Sequence, residues 1–232
     1  MSTLILIRHA QASFGADDYD QLSKLGYTQA DHLAKWFARQ PHTIDRVVCG
    51  PCKRHRQSAE ATLALPSTAS QDAEIIEELD EFDAFRLFGW FMQREDDPRS
   101  AEIRELMLAQ DPAQARGLGK LLEQVTLEWA RGEHVIPGMD TWAQTRERME
   151  TGIRKVTASM QASERVALFT SGGPVGVAIG MALELSDEKT MQMCWAVYNA
   201  SFSRFFVNGD LFSLDSMNNL PHLEREDLIT RR

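Results

Sequence analysis

The chain has 232 residues, 43% of them hydrophobic, which is enough for one domain with a sizeable core. Lys plus Arg total 25 against 34 Asp plus Glu, and the formal charge of -9 argues against general polyanion binding and so against a nucleic-acid partner. Three cysteines leave no room for a disulfide framework. The first apolar run has no basic leader and is too short for a signal peptide or a membrane span, so the expectation is a cytoplasmic protein with no membrane attachment.

Leu4-Ile5-Leu6-Ile7 predicts a short strand buried on both faces. It ends in Arg8-His9, at what is then the carboxyl edge of a sheet, where open α/β folds collect ligands. A neutral imidazole is a competent nucleophile near pH 7, and a guanidinium grips anionic oxygens in a fork, so the pair suits attack on a phosphoryl group. The plainer reading is a strand-capping histidine beside a solvent-directed arginine. Residues 11–21 predict a loop over that edge. A helix follows, capped by Ser23 or Thr28, with Ala30, Leu33, Trp36 and Phe37 at helical spacing and Pro41 as its stop. His32 and His42 read as surface or packing residues.

Ile44 to Cys49 predicts a second strand, and Gly50-Pro51 turns into a helix beginning near Cys52. Cys49-Gly50-Pro51-Cys52-Lys53 matches the redox motif of thioredoxin-like proteins, a reading that requires a low-pKa thiol. It lacks the preceding tryptophan and leaves Arg8-His9 unexplained. A zinc site is weaker, since Cys194 is the one remaining thiol and no histidine stands at ligand spacing from it. Ala73 to Asp83 alternates into a strand and then a carboxylate cluster, which is either a solvated edge or the source of a general acid whose pKa is raised by crowding. From about 84 to 138 no motif occurs. Helical patches there include Leu106-Met107-Leu108 and Leu118 to Trp129. Phe85, Phe88, Trp90, Phe91 and Met92 either bury this segment or wall a pocket, and His134 falls in the loop that leaves it.

Thr141 opens a long helix to about Met160, with Trp142, Met149, Ile153 and Val156 on one face. Val166 to Thr170 predicts a third buried strand. Ser171-Gly172-Gly173-Pro174 turns from it into another helix, and its glycines let backbone amides converge on an anion. After a helix near Thr190 to Tyr198, Asn208-Gly209-Asp210 marks a hairpin between Ala200–Val207 and Leu211–Leu214. The charged tail beyond Glu224 is expected to fray.

Taken together, four stretches resemble the histidine phosphatase superfamily, also called phosphoglycerate mutase-like. They are Leu4 to Ala10 followed by Leu22-Ser23-Lys24-Leu25-Gly26-Tyr27-Thr28-Gln29-Ala30; Pro51-Cys52-Lys53-Arg54-His55-Arg56-Gln57-Ser58-Ala59; Leu79-Asp80-Glu81-Phe82; and Ser171-Gly172-Gly173. The ending Met217 to Leu223 is similar as well, and residues 3–85 and 165–223 carry the likeness in the right order. The resemblance implies a three-layer α/β/α sandwich with a mainly parallel sheet, a single domain over 1–232 and a helical cap inserted at about 84–138 that sets substrate choice.

The resemblance also assigns roles: His9 as the transiently phosphorylated nucleophile, Arg8 and Arg54 as the phosphate clamp with Ser171 and Gly172 beside them, and Glu81 as the general acid, with Glu78 and Asp83 as alternatives. Three departures stand out. Ala10 replaces a glycine, Ser58 a threonine, and Ser171 the second catalytic histidine, where a serine donates a hydrogen bond but carries no charge. His222 is a candidate replacement for that cation. The expected activity is phosphomonoester hydrolysis on a small phosphorylated substrate with no metal and no cofactor, and a homodimer is left open. The alternatives are a mutase, disfavoured because Gly15 stands where the mutase pattern has asparagine, and a non-catalytic phosphate-binding protein.

Overall fold

The computed structural model describes residues 1–13, 20–109 and 115–231, without the side chains of 107–109 and 115–116. Residues 14–19 of the expected loop, Gly15 among them, lie outside the described residues, as do the side chains of Met107 and Leu108. In chain order the elements are β1 (Ser2–Arg8), α1 (Lys24–Ala38), β2 (Arg46–Cys49), α2 (Lys53–Leu63), β3 (Glu74–Ile75), α3 (Ala84–Met92), α4 (Pro98–Ala109), α5 (Ala115–Ala130), α6 (Trp142–Ala158), β4 (Arg165–Thr170), α7 (Gly172–Leu183), α8 (Asp187–Ala196), β5 (Phe202–Asn208) and β6 (Leu211–Asn219).

The strands form one six-stranded sheet in the order β3-β2-β4-β1-β5-β6. β1, β2, β3 and β4 run parallel, while β5 pairs antiparallel with both β1 and β6. This is the α/β sandwich expected, with an antiparallel hairpin closing one side. Alternation along β1 divides the core. Leu4 and Leu6 face one way with Val166 and Leu168, against α6, α7 and α8; Ile5 and Ile7 face the other way with Val47 and Phe169, against Leu33 and Phe37 of α1 and Ala59 of α2. Both faces of the strand are therefore covered, which is why its sequence shows no polar alternation. Ser23 caps α1 by accepting from the Gly26 amide, and Thr141 and Gln144 form a reciprocal capping box at the start of α6.

The stretch after β2 differs from the expected strand. Only Glu74 and Ile75 pair with β2, both exposed at the sheet edge, and residues 77–79 turn into a short 3-10 helix. The alternation in the sequence comes from an edge segment with one anchor, Leu79, which is fully buried.

The three helices of the inserted segment do not build a separate core. Leu87 and Phe91 of α3, Ile103 of α4 and Val125 and Trp129 of α5 belong to the same apolar cluster as Leu4, Leu6 and Leu168 of the sheet. Trp129 is central to this continuity: its ring lies 5.6 Å edge-on to Trp142 of α6 and 5.4 Å from Phe82. Phe91 is thus a core residue rather than a pocket wall, and Phe85 is 62% exposed. Because sheet and insertion share one core, Trp129→Ala is expected to lower the free energy of unfolding by about 3–5 kcal/mol, with one cooperative transition in denaturant followed by both circular dichroism and tryptophan fluorescence. Two separated transitions would show that the insertion folds independently.

Candidate active site

Parallel pairing sets β1 and β4 in a register that places Arg8 opposite Thr170, so Arg8-His9 and Ser171-Gly172 leave the sheet side by side. β2, on the far side of β4, delivers the turn that starts α2. The carboxyl ends of three strands and the amino ends of α2 and α7 therefore converge on one point.

His9 is buried and held by its backbone at every polar atom. Its amide donates to the Thr170 carbonyl at 2.7 Å, and its carbonyl accepts from the Ala200 amide at 3.2 Å and from Asn199 Nδ2 at 3.3 Å. The ring nitrogen Nδ1 lies 2.7 Å from the Ala10 carbonyl. A carbonyl only accepts, so the proton of the neutral ring sits on Nδ1 and the lone pair on Nε2. Burial, then Arg54, Arg8 and His55, push the His9 pKa well below the usual histidine range, so the ring is neutral at pH 7.

The residues around His9 that carry no chemistry of their own hold its loop. Ser58 Oγ accepts from the Ala10 amide at 3.0 Å and donates to the Arg54 carbonyl at 2.7 Å. Gln57 Oε1 accepts from the Leu22 amide and Gln29 Oε1 from the Gln11 amide. The glutamines and the small hydroxyl of the two signatures are thus fasteners.

Arg54 is buried in the first turn of α2, where Nη2 donates to Ser171 Oγ at 3.3 Å and Nη1 meets Asp20 at 2.8 Å. Asp20 also accepts from the Lys53 and Arg54 amides, taking the capping role that the Cys52 side chain leaves unfilled. Arg8 Nη1 donates to the Val197 carbonyl at 2.6 Å, which aims its guanidinium along the sheet edge toward Gly172. Asp20 carried no signal in the sequence, because its partners lie more than thirty residues away.

Of the three candidate acids, the structure brings only Glu81 to this point. Its Oε2 accepts from the Gly173 amide at 3.1 Å and its Oε1 from the Phe82 amide at 3.1 Å. The approach is so close that a Cβ at position 173 would stand 2.1 Å from the carboxylate, so only glycine fits there. Burial raises the Glu81 pKa above the usual carboxylate range, against the opposing pull of the two amides and of Arg54 and Arg8. The cause is desolvation, not the crowding of carboxylates expected from the sequence. Glu78 instead pairs with Lys155, which lowers its pKa, and Asp83 caps α3 while pairing with Arg86. The carboxylate segment is fixed from behind by Arg148 of α6, which donates to the Glu78 and Asp80 carbonyls at 2.9 and 3.1 Å. A cavity of about 340 Å³ opens beside Glu81, bordered by Phe82, Met139, Arg86 and Arg148 as well as by Asp83 and Asp140, so its walls are mostly polar.

Ser171 is fully buried at the end of β4, and its hydroxyl lies 2.6 Å from Nε2 of His55. His55 is itself fully buried, with its ring centroid 5.8 Å from that of His9. His55 carries no signature in the sequence, being a single histidine between Arg54 and Arg56; its one cue there is a ring next to Arg54 at the amino end of a helix. His222 packs instead on Phe202 and beside His32, and burial pushes its pKa down to about 4. No described contact joins it to Arg8, His9 or Arg54.

An imidazole with an available lone pair, two guanidiniums and the amide end of a helix at one sheet edge are groups suited to an anionic, phosphoryl-like ligand. The model of the histidine phosphatase superfamily (branch 1) matches residues 4–126 and 116–220, and the chain belongs to that superfamily. Solved structures of the same fold include an alpha-ribazole phosphatase from Shigella flexneri (20% identity, TM-score 0.62, covering 94% of this chain and 96% of that one). A phosphoserine phosphatase from Entamoeba histolytica is similar at 17% identity and TM-score 0.63, over 96% of this chain and 100% of that one. A phosphoglycerate mutase from Bacillus anthracis is similar at 14% identity and TM-score 0.64, over 96% and 95%. A comparison with curated proteins finds no match.

The thioredoxin-like reading required a low-pKa thiol, and the opposite is found. Burial pushes both Cys49 and Cys52 up to about 12, and Cys52 donates to Asp80 at 3.0 Å. A free exposed cysteine titrates near about 8.5. Native protein at pH 7 is therefore expected to leave both thiols unalkylated by iodoacetamide over a period that fully modifies glutathione, with modification appearing only on denaturation; rapid labelling of either thiol in the native state would contradict the burial described.

Proposed function

We propose that this protein is a phosphomonoester hydrolase that works through a phosphohistidine on His9. The observation that carries the reading is the fixed tautomer of His9, neutral and with its Nε2 lone pair at the edge where Arg8, Arg54 and the Ser171-Gly172 turn meet. Nε2 attacks phosphorus, the ester P–O bond breaks, and the departing oxygen takes the proton of Glu81. Water then attacks the phosphohistidine, gives its proton to the Glu81 carboxylate, and P–N cleavage returns neutral His9. The charge on the phosphoryl oxygens is met by the guanidiniums of Arg8 and Arg54, the role a metal ion plays in other phosphatases, so the reaction needs no metal.

The raised pKa of Glu81 supports its role as acid, because it favours the protonated form that the first step consumes. The substrate is a small phosphorylated metabolite, admitted past the polar cavity beside Glu81. No described helix is long and apolar enough to cross a membrane. Three free cysteines fit a reducing compartment, and we place the enzyme in the cytoplasm.

The direct test is phosphate release from an aryl phosphomonoester in the presence of a chelator. The unaltered protein is expected to turn over and His9→Ala to lose activity entirely, with acid-labile, base-stable label on the unaltered protein alone; absence of turnover by the unaltered protein across a panel of phosphomonoesters would end the hydrolase reading.

A pH profile gives a second test. His9 must be neutral and its pKa lies below 6.5, while Glu81 must be protonated and its pKa lies above 4.5. Activity therefore rises with pH as His9 loses its proton and falls as Glu81 loses its own, giving a bell-shaped profile for substrates whose leaving group needs a proton. Glu81→Gln is expected to cost about 10²–10⁴-fold on an alkyl phosphate and much less on an aryl phosphate, and to remove the alkaline limb.

A further inference from the structure

We propose that His55 is the second imidazole of this site, acting on the phosphoryl group through the hydroxyl of Ser171. The inference rests on the reading of His9 as phosphoryl acceptor and deepens it. Position 171, where a cationic donor is missing, is contacted from α2 by a histidine that reaches the same place from a different strand end.

The valence of the Ser171 hydroxyl limits what its neighbours can do. A serine oxygen has two lone pairs and one proton. Arg54 Nη2 can only donate and occupies one lone pair, at 3.3 Å. Among the described residues the buried Nδ1 of His55 makes no hydrogen bond, which puts the ring proton on Nε2, and His55 then occupies the other lone pair at 2.6 Å. The remaining O–H then points away from both donors, and two donors pulling on its oxygen make it a stronger acid toward a third group. Ser171 accepts no capping bond from α7, so no helix amide competes with Arg54 and His55 for its lone pairs. That hydroxyl lies against the His55 ring, whose centroid is 5.8 Å from that of His9. A phosphoryl group on its way to His9 Nε2 meets Arg8, Arg54 and the Ser171 hydroxyl together.

The fold also makes room for the ring. At the turn before α2, a Cβ on Gly50 would stand 2.5 Å from His55 Nδ1 and 2.6 Å from the Leu79 carbonyl, so the turn closes only around a glycine. A buried imidazole is a poor choice for packing alone, because an aliphatic side chain fills such a space without desolvating two ring nitrogens. His55 is accordingly a positioning residue: it orients and polarises Ser171, which touches the phosphoryl oxygen.

The test compares His55→Ala, His55→Gln, Ser171→Ala and the exchanged variant His55→Ala with Ser171→His, which moves the imidazole to position 171. Turnover of an aryl phosphate is split into kcat and KM, and thermal melts check folding. His55→Ala and Ser171→Ala are each expected to lower kcat about 10–100-fold with little change in KM, and their combination is expected to add little, because they break one chain of hydrogen bonds. His55→Gln retains a donor and is expected to recover about tenfold over His55→Ala; the exchanged variant is expected to recover as much.

Activity of His55→Ala within about threefold of the unaltered protein would overturn the inference, as would an exchanged variant that folds but is no better than His55→Ala. Trapping of the phosphoryl group on Ser171 as an acid-stable ester would also overturn it, since the hydroxyl would then be an acceptor and not a donor. Should His55→Ala fail to fold, His55→Gln and Ser171→Ala carry the same comparison. Should the unaltered protein show no turnover, the hydrolase reading falls separately, and affinity for vanadate, which takes up the five-coordinate geometry of a phosphoryl group in transfer, becomes the readout: weakening of about tenfold or more in His55→Ala with recovery in the exchanged variant supports the inference, and unchanged affinity overturns it.

Discussion

The register between β1 and β4 is the constraint on which the rest of this site depends. Pairing Arg8 with Thr170 sets the last residues of both strands level, so that the His9 amide can bond to the Thr170 carbonyl and Ser171 leaves β4 beside it. A slip of one residue would turn Leu4 and Leu6 to the face of α1 and α2 and carry Arg8 away from the edge. The core forbids that, since the two faces are filled by different helices with different shapes. The same burial that stabilises the sheet therefore positions the chemistry, and the unbroken apolar run Leu4–Ile7 in β1 follows from covering both its faces.

Within that frame the charges are concentrated. Two guanidiniums and two imidazoles lie close together, and among the described residues Asp20 pairs with Arg54 while Glu81 is held on the α7 amides. Burial and the arginines keep both imidazoles neutral, which relieves part of the repulsion. The arginines cannot give up their charge. On the proposed reading a phosphoryl dianion is attracted to this edge even though the chain is acidic overall, because Arg8 and Arg54 are gathered at one place.

The sequence made the local parts of this arrangement legible and hid the ones that depend on chain crossing. Leu4 to Ile7 followed by Arg8-His9 is readable because strand, edge and functional pair are contiguous. Arg54 and Ser171-Gly172 are readable because each follows a buried strand directly and lies near the start of a helix. Asp20 and Arg148 were not readable, since one is brought to α2 and the other to the Glu78–Glu81 backbone across long stretches of chain. The short edge pairing at Glu74–Ile75 looked like a full strand because alternation reports one-sided burial and not strand length. Among the carboxylates, spacing could not separate Glu78, Glu81 and Asp83, because what distinguishes them is whether the side chain meets Lys155, the Gly173 amide or the start of α3.

The segment Cys49-Gly50-Pro51-Cys52 shows how burial decides between two chemistries that share a spelling. A redox pair needs a thiolate, and a thiolate needs solvent or a stabilising charge. Cys49 closes β2 inside the core, where desolvation outweighs the nearby Arg56, and Cys52 faces the Asp80 carboxylate, which opposes ionisation further. The same turn instead accommodates His55 and fixes Arg54. Gly50 leaves space for the His55 ring, and Cys52, which makes no capping bond, leaves the first amides of α2 to Asp20, which in turn holds Arg54. A strand-turn-helix unit of this kind is neutral between the two functions at the level of backbone geometry. What commits it is the partner at the neighbouring strand end, here a buried serine flanked by an arginine and a histidine.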